Sequence, residues 1–157
     1  MIQRIQSIFL LFSALSFGSL FAQFMAFSDV QVIKGGNTVL EGSALFADKV
    51  YNIWDNYLLL GLTILGLLLS LIAIFMFSDR TRQMLISRFA FICSILILIM
   101  AALLFLIDYR ALPARAELLF DIEYGVLAPI AALVFLALAL RFIKKDDKLV
   151  RSMDRLR

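Results

Sequence analysis

The stretch YLLLGLTILGLLLSLIAIFMF, residues 57–77, decides the fold. It contains no charged residue, and it is apolar on every side, which is typical of a helix in lipid and not of a half-buried strand. A helix needs about 20 mostly apolar residues to cross the ~30 Å hydrocarbon layer of a membrane. In lipid, only a helix satisfies its own backbone hydrogen bonds within one segment. The stretch therefore predicts a transmembrane helix.

The rest of the chain holds three more uncharged apolar runs. Charged residues make up 17% of the 157 residues, below the ~25% of a soluble domain. A soluble bundle would have to bury all four runs on every face. We therefore expect a single membrane domain, 1–157, that is all-α and built as a four-transmembrane-helix bundle. The predicted spans are about 5–27, 56–78, 89–107 and 124–143, the last with Arg141 reaching to the interface.

The first run has a second interpretation, as a cleaved signal peptide. Arg4 would be its basic start, and cleavage before Gln23 would leave three spans. However, the apolar stretch continues beyond the about 7–15 residues of a normal signal-peptide core. Leu20 also stands where a small residue is expected. We therefore expect a retained helix.

The basic residues indicate the orientation, because loops rich in Lys and Arg stay in the cytoplasm. Eleven of the 15 Lys and Arg lie near the N-terminus, between the second and third spans, or in the C-terminal tail. The other four lie in the opposite loops and are Lys34, Lys49, Arg110 and Arg115. We expect both termini in the cytoplasm, a cytoplasmic loop at 79–88, and outer loops at 28–55 and 108–123.

The outer loops carry signals for local structure. VQVIKGGNTVL, residues 30–40, has β-branched residues around Gly-Gly-Asn, which tolerates the positive φ of a tight turn, so we expect a short β-hairpin. ALFADKVYNIW, residues 44–54, predicts an interfacial helix, with Tyr51 among the aromatic residues at headgroup level. In the second outer loop AELLF, residues 116–120, predicts a turn on the membrane surface.

Polar residues inside the spans are few and uncharged. Four fall on about one third of the circumference of the first helix, namely Ser13, Ser16, Ser19 and Gln23. Such a stripe usually faces the bundle interior, where small residues pack closely and hydroxyls bond across helices. The alternative is a polar path for a solute. Charged residues normally mark ion and proton routes, and none joins the stripe. We therefore expect the stripe to serve helix packing.

Residue types that support catalysis are scarce in the sequence. The chain has no His and a single Cys, Cys93, and it contains no HExxH, GxSxG, CxxC or Gly-rich phosphate-binding motif. The lack of His removes the usual general base at neutral pH and the commonest metal ligand. The sequence therefore predicts that the protein is not an enzyme and holds no metal and no cofactor.

The C-terminal stretch KKDDKLVRSMDRLR, residues 144–157, is dense in charge. Placed on a helix, its apolar residues fall within an arc of about 120°; they are Leu149, Val150, Met153 and Leu156. Its basic residues fall within about 60° on nearly the opposite side; they are Lys144, Lys148, Arg151 and Arg155. We expect a cytoplasmic tail helix that anchors the fourth span and presents its basic residues to an acidic protein surface. Binding to anionic lipid is less favoured, because the basic residues would point away from a membrane that the apolar arc contacts.

The opening MIQRIQSIFLL, residues 1–11, and the charged tail bracket the four apolar spans. In this layout the chain resembles an uncharacterised family of small four-helix inner-membrane proteins of Bacteroidota, known as a domain of unknown function. The resemblance is specific only at the two ends. It implies a multi-pass protein of the bacterial inner membrane, and it carries over no catalytic residue.

Two functions remain open at this point. The first is a non-catalytic accessory or scaffold subunit of a bacterial inner-membrane complex, with membrane lipids and another inner-membrane protein as partners and no nucleic acid. The second is a small-molecule or lipid carrier that uses the polar stripe of the first span. The missing catalytic motifs and the charged tail favour the first.

Overall fold

The computed structural model describes residues 2–22, 25–34, 37–38, 50–111 and 117–154. These residues form four α-helices, α1 (Ile2–Ser19), α2 (Tyr57–Phe75), α3 (Arg80–Ala111) and α4 (Leu127–Asp154). They also form four strands, β1 (Ser28–Lys34), β2 (Asn37–Thr38), β3 (Val50–Tyr51) and β4 (Glu117–Ile122). Short 3-10 turns precede α2 and α4, at Ile53–Asp55 and Tyr124–Val126.

The helices form a bundle in which each contacts two neighbours, in the order α1, α2, α3, α4 and back to α1. Adjacent helices are antiparallel. Early in α1, the Gln6 amide donates to the Phe142 carbonyl late in α4 at 3.3 Å. Early in α3, the Gln83 amide donates to the Ala73 carbonyl late in α2 at 3.0 Å. We call the end with the strands the sheet end, and the end with the α2–α3 turn and the last turns of α4 the tail end.

Inward-facing positions alternate between steps of three and four residues, as expected for helices packed in a bundle. The buried positions of α2 are Leu59, Thr63, Gly66, Ser70 and Ala73. Those of α3 include Gln83, Ser87, Ala90, Ser94, Ile97 and Ala101. Those of α4 include Ala132, Leu136, Ala139, Ile143 and Asp146. Many of these residues are small, which lets the helix backbones approach closely.

Hydroxyl groups and a glycine fill the interior where the helices meet. The Ser13 and Ser70 hydroxyls are 3.1 Å apart between α1 and α2. Between α3 and α4, the Ser94 hydroxyl donates to the carbonyl of Pro129 at 2.7 Å. Phe17 packs tightly on Gly66 of α2. A Cβ atom added at Gly66 would lie 2.8 Å from two ring carbons of Phe17. These hydroxyls therefore serve helix packing.

Large apolar side chains cover the outside of the bundle. On α2, for example, Leu58, Leu65, Leu68 and Ile72 are 46% to 52% exposed. A contiguous apolar surface of this kind fits a hydrocarbon environment or another apolar partner. Three helical segments are long and apolar enough to cross a membrane, namely Tyr57–Phe75, Arg80–Ile107 and Tyr124–Val150.

The first helix is shorter than the predicted span at 5–27. Its apolar part is Ile5–Ser19, a length that corresponds to about 22 Å at 1.5 Å per residue. After Ser19, backbone N–H groups donate to carbonyls three residues back, which tightens and ends the helix. The chain then runs to β1, and the described residues of the predicted span beyond Ser19 lie in turns or have no regular secondary structure.

β1 is the centre of a four-stranded sheet. It pairs antiparallel with β4, from Ser28 opposite Ile122 to Ile33 opposite Glu117. On its other edge β1 pairs with β3 at its start and with β2 at its end. The residues between β1 and β2, at the centre of the predicted hairpin turn, lie outside the described residues. The sheet joins the two segments that the sequence treats as separate outer loops.

The sheet corrects three sequence predictions. The predicted interfacial helix at 44–54 is wrong where it is described, because Val50–Tyr51 is β3 and Ile53–Asp55 is a 3-10 turn. The predicted surface turn at 116–120 is mostly strand β4. The fold is therefore mostly helical with an added sheet, not all-α. Both segments form strands because they pair with β1, which is distant from them in the sequence. No local sequence pattern therefore indicates these strands.

Tyr51 joins the sheet to the bundle. Its hydroxyl donates to the Ala101 carbonyl of α3 at 2.9 Å, and the residue is 2% exposed. The Tyr51 carbonyl accepts from the Phe27 N–H at 2.7 Å. Tyr51 therefore belongs to the core that joins the sheet and the bundle, whereas Trp54 is 53% exposed.

α3 and α4 both continue past their predicted spans at the tail end. α3 begins at Arg80, so most of the predicted loop at 79–88 is helical. α4 runs without interruption from Leu127 to Asp154. The predicted tail helix is thus a direct continuation of the fourth apolar helix, as far as the described residues extend.

Candidate functional site

The tail end of the bundle gathers the basic residues that the sequence singles out. Lys144 and Lys148 lie on α4 with exposed side chains. Ile143 and Asp146, on another side of the same helix, are buried against the bundle. Arg151 continues the helix, with a side chain outside the described part of the chain, and Arg155 lies outside it entirely. The two described lysines therefore face away from the bundle.

An ion pair fastens α4 to the start of α3. Nη1 of Arg80 donates to the Asp146 carbonyl at 3.2 Å, and Nη2 lies 3.3 Å from Oδ2 of Asp146. The two side chains are 23% and 12% exposed, so water reaches the pair poorly. Oδ2 has no well-aligned hydrogen bond among the described residues, so its attraction to Arg80 is mainly electrostatic. Shielding from water strengthens such an attraction.

A second, exposed ion pair lies beside the first. Oδ1 of Asp79 accepts from the Arg82 backbone N–H at 3.2 Å, the usual interaction of an N-cap residue. Oδ2 of Asp79 lies 3.0 Å from Nε of Arg82, and the side chains are 47% and 73% exposed. Exposed pairs contribute at most about 1 kcal/mol. Asp79 and Arg82 both lie at the start of α3, so their pair is local, whereas the Arg80–Asp146 pair joins α3 to α4.

A concavity of about 640 Å³ lies between the α2–α3 turn and the end of α4. Phe77, Ser78 and Thr81 line it from the turn, and Asp147 and Val150 line it from α4. Mixed polar and apolar surfaces are typical of contacts between proteins. The concavity therefore combines polar and apolar side chains at the tail end.

The predicted apolar arc of the tail docks only in part. Val150 lines the concavity, whereas Leu149 is 45% exposed. The inward-facing side of α4 instead continues through Ile143 and Asp146. These residues follow the buried Ala139 at the same alternating spacing of four and three residues. The last side chains of the arc lie outside the described residues.

The polar stripe of α1 is not a continuous inward face. Ser13 is buried where α1 meets α2. The Ser16 and Ser19 hydroxyls donate to carbonyls of the preceding turn of α1, both at 2.8 Å. Gln23 lies outside the described residues. The three described serines thus bond within their own helix or to a neighbouring helix, an arrangement that fits packing better than a solute path.

At the tail end, the exposed ammonium groups of Lys144 and Lys148 lie on the helix that the Arg80–Asp146 pair holds. Within the described ranges, no cluster of three or more Cys, Asp or Glu side chains is placed to hold a metal ion. Cys93 lies on the inward side of α3 and is 6% exposed.

One protein-family model matches residues 2–156, which is nearly the whole chain. The chain belongs to DUF4293, a domain of unknown function. The DUF4293 match begins in α1 and extends past the end of α4, so it includes both the sheet end and the tail end. No curated protein matches the sequence of this DUF4293 chain.

Arg80 and Asp146 are site residues that sequence analysis does not single out in the DUF4293 chain. Asp146 stands in a run of charged residues, which is typical of a solvated surface. The burial of Asp146 could have been predicted from its spacing. Asp146 follows Ala139 and Ile143 at steps of four and three residues, the spacing of inward-facing positions on α4. No sequence signal indicates its partner Arg80, which lies on another helix.

Proposed function

We propose that this protein is a non-catalytic accessory or scaffold subunit of a bacterial inner-membrane complex. The basic side of α4 at the tail end binds an acidic surface of another membrane protein. The observation that carries this proposal is the shielded Arg80–Asp146 pair, which holds a charged helix firmly at the end of an apolar bundle.

Membrane insertion is supported by the lengths and surfaces of the helices. Three helical segments are long and apolar enough to span. The bundle exposes Leu, Ile and Phe on its outside and places Ser, Thr and Gly inside, an arrangement that suits lipid. α1 packs against both α2 and α4 and buries Leu10 and Phe17. Losing α1 would uncover this interface, which favours its retention over cleavage as a signal peptide.

The length of α4 supports a projection beyond the membrane. Its 28 residues correspond to about 42 Å, some 12 Å more than the ~30 Å hydrocarbon layer. Lys148 lies in the excess length, and Lys144 directly follows the predicted span at 124–143; both are exposed on a helix that is already ordered. A preformed helix loses less conformational entropy on binding than a flexible tail, which improves affinity. An acidic protein surface complements these charges and would be recognised through them.

The predicted orientation can be tested by cysteine labelling. A Cys introduced at Asn37, in β2, should react with a membrane-impermeant maleimide in intact spheroplasts. A Cys at Thr81, exposed at the tail end, should react only after permeabilisation. The reason is that the side rich in Lys and Arg stays in the cytoplasm. The unaltered chain is the control, and its buried Cys93 should stay unlabelled. The reverse labelling pattern would overturn the orientation.

The proposed partner surface can be tested by removing charge from the tail. Replacing Lys148, Arg151 and Arg155 with Gln should lower recovery of a stoichiometric partner in mild detergent by roughly tenfold, since each exposed ion pair is worth up to about 1 kcal/mol. Recovery with the native chain should fall as salt rises, and the variant should show a weaker salt dependence. Recovery is measured by quantitative mass spectrometry of the co-purified proteins.

The matched control removes Arg82 and Arg88, which are exposed basic residues of α3 near the same end. Their replacement by Gln should leave partner recovery nearly unchanged. Membrane insertion should be intact in every variant, because Arg141, Lys144 and Lys145 remain. Equal recovery with the tail variant and the native chain across the salt series would contradict the proposed partner surface.

A further inference from the structure

At the sheet end, an apolar cleft of about 190 Å³ lies beside α3. Its long wall is one face of that helix, where Leu98, Ala102 and Phe105 follow at steps of four and three residues. Phe27 and Val126, from the segments next to β1 and α4, line the cleft as well. From Leu98 to Phe105 the helix rises about 10 Å. The cleft is thus a short groove along the helix axis.

The groove borders the outer surface of the bundle. Ala102 is exposed, and the neighbouring Leu103 and Leu106 on α3 are 46% and 48% exposed. In the membrane placement proposed above, this surface of α3 faces lipid. The groove then runs roughly parallel to the acyl chains, because it follows a helix that crosses the membrane.

Ser28 gives the cleft one polar feature. It lines the cleft and is 6% exposed, and its Oγ has no hydrogen-bond partner among the residues that the structure describes. The backbone of Ser28 is held in the sheet, opposite both Tyr51 and Ile122. The Tyr51 hydroxyl, also at the cleft, already donates to the Ala101 carbonyl. Ser28 is therefore left with an unused hydroxyl beside an apolar groove, an unfavourable state unless a ligand satisfies it.

We infer that the cleft binds one acyl chain of a membrane phospholipid, whose ester carbonyl accepts a hydrogen bond from the Ser28 hydroxyl. A hydroxyl can rotate to donate to such a carbonyl. Phospholipids place the ester at the top of the hydrocarbon chain, and the cleft has the same order, with Ser28 in the sheet and the apolar wall running down α3. An apolar cavity of ~150 Å³ already accepts benzene, so this cleft is large enough for a segment of chain.

The inference rests on the membrane placement in the proposed function but not on the tail's partner. Native mass spectrometry of the full chain in detergent can test it with two probes. One is a diester phosphatidylethanolamine, and the other is its diether analogue, which lacks the carbonyl. The native chain should bind one lipid and prefer the ester by roughly two- to tenfold, the range of one neutral hydrogen bond. In Ser28→Ala this preference should fall to about one.

Ala102→Phe should fill the groove and reduce the one-lipid complex more than about tenfold, because the chain loses its apolar contacts. The control is Ala137→Phe, which adds the same ring at an exposed position of α4 outside the cleft. This control should bind lipid like the native chain. Thermal melting of each variant in detergent shows whether the fold is retained.

Two results would overturn the inference. One is an unchanged ester preference in Ser28→Ala. The other is equal lipid binding by Ala102→Phe and the native chain. A bound amphiphile without an acyl ester, lost in Ala102→Phe, would also overturn the assignment of the ligand. Cysteine labelling reports on the membrane orientation separately, so failure of this site and failure of the proposed function can be distinguished.

Discussion

Replacing Gly125 with alanine should lower the free energy of unfolding by about 3 kcal/mol. Gly125 lies in the turn before α4, and its N–H donates to the Ala26 carbonyl at 2.7 Å. A Cβ atom there would overlap the Ala26 carbonyl oxygen and lie 2.7 Å from the Met25 carbonyl oxygen. Both obstacles are backbone atoms, which cannot move aside as a flexible side chain can. The turn would have to shift as a whole.

Such a shift affects more than one contact. The Glu123 N–H donates to the Phe27 carbonyl at 3.1 Å, immediately before the Ser28–Ile122 pair of the sheet. Overpacking typically costs about 1–3 kcal/mol, and each lost hydrogen bond costs about 1 kcal/mol. The expected decrease in melting temperature is about 10 °C. It can be followed in detergent through the fluorescence of Trp54, the single tryptophan.

The matched control is Gly61→Ala in α2. A Cβ atom at Gly61 would meet no described atom within 4 Å outside its own helix and immediate neighbours. Alanine is the better helix former, so this variant should be as stable as the native chain or up to about 1 kcal/mol more stable. Equal melting temperatures for Gly125→Ala and Gly61→Ala would contradict the close backbone contact.

Replacing Arg80 with glutamine should lower the free energy of unfolding by about 2 kcal/mol. The substitution leaves the carboxylate of Asp146 poorly hydrated and without its cation, since that side chain is only 12% exposed. Breaking a fully buried pair costs about 3–5 kcal/mol, whereas an exposed pair is worth at most about 1 kcal/mol. This pair is largely but not fully shielded, so an intermediate value is expected. Far-ultraviolet circular dichroism during thermal unfolding measures the effect.

A double-mutant cycle separates the pair from its surroundings. Arg80→Gln combined with Asp146→Asn should cost less than the sum of the two single changes, by about 1 kcal/mol or more. The control cycle uses Arg82→Gln and Asp79→Asn, because asparagine can keep the N-cap interaction. That exposed pair should show a coupling of at most about 0.5 kcal/mol. Equal coupling in both cycles would show that Arg80 and Asp146 do not fasten the tail.

Helix content could be predicted well from particular stretches. Residues 57–77 contain only apolar and small uncharged residues apart from Tyr57, Thr63 and Ser70, and they form α2 nearly as expected. The inward face of α2 could also be predicted from the sequence, because Thr63, Gly66 and Ser70 are small or hydroxyl-bearing residues within a run of Leu and Ile. Small and hydroxyl residues at this spacing mark a helix interface in lipid.

The candidate site was predictable only in part. The exposure of Lys144 and Lys148 follows from their position opposite the apolar residues of a helix. The role of Asp146 depends on Arg80, which is separated from it by two apolar helices in sequence. Ser28 is ordinary in sequence, and only the placement of α3, β3 and β4 around it buries its hydroxyl, which has no hydrogen-bond partner among the described residues.

The sequence by itself determined that this chain is built from apolar helices, because long uncharged runs in a chain with 63% hydrophobic residues leave few other ways to satisfy the backbone. It also determined where charge accumulates, since eleven of the 15 basic residues lie on one side of the predicted spans. Only the tertiary structure decided that β1 and β4 form one sheet and that Arg80 holds Asp146. Each of these features depends on contacts between residues far apart in sequence, whose hydrogen bonds and charges find partners only after the helices have packed.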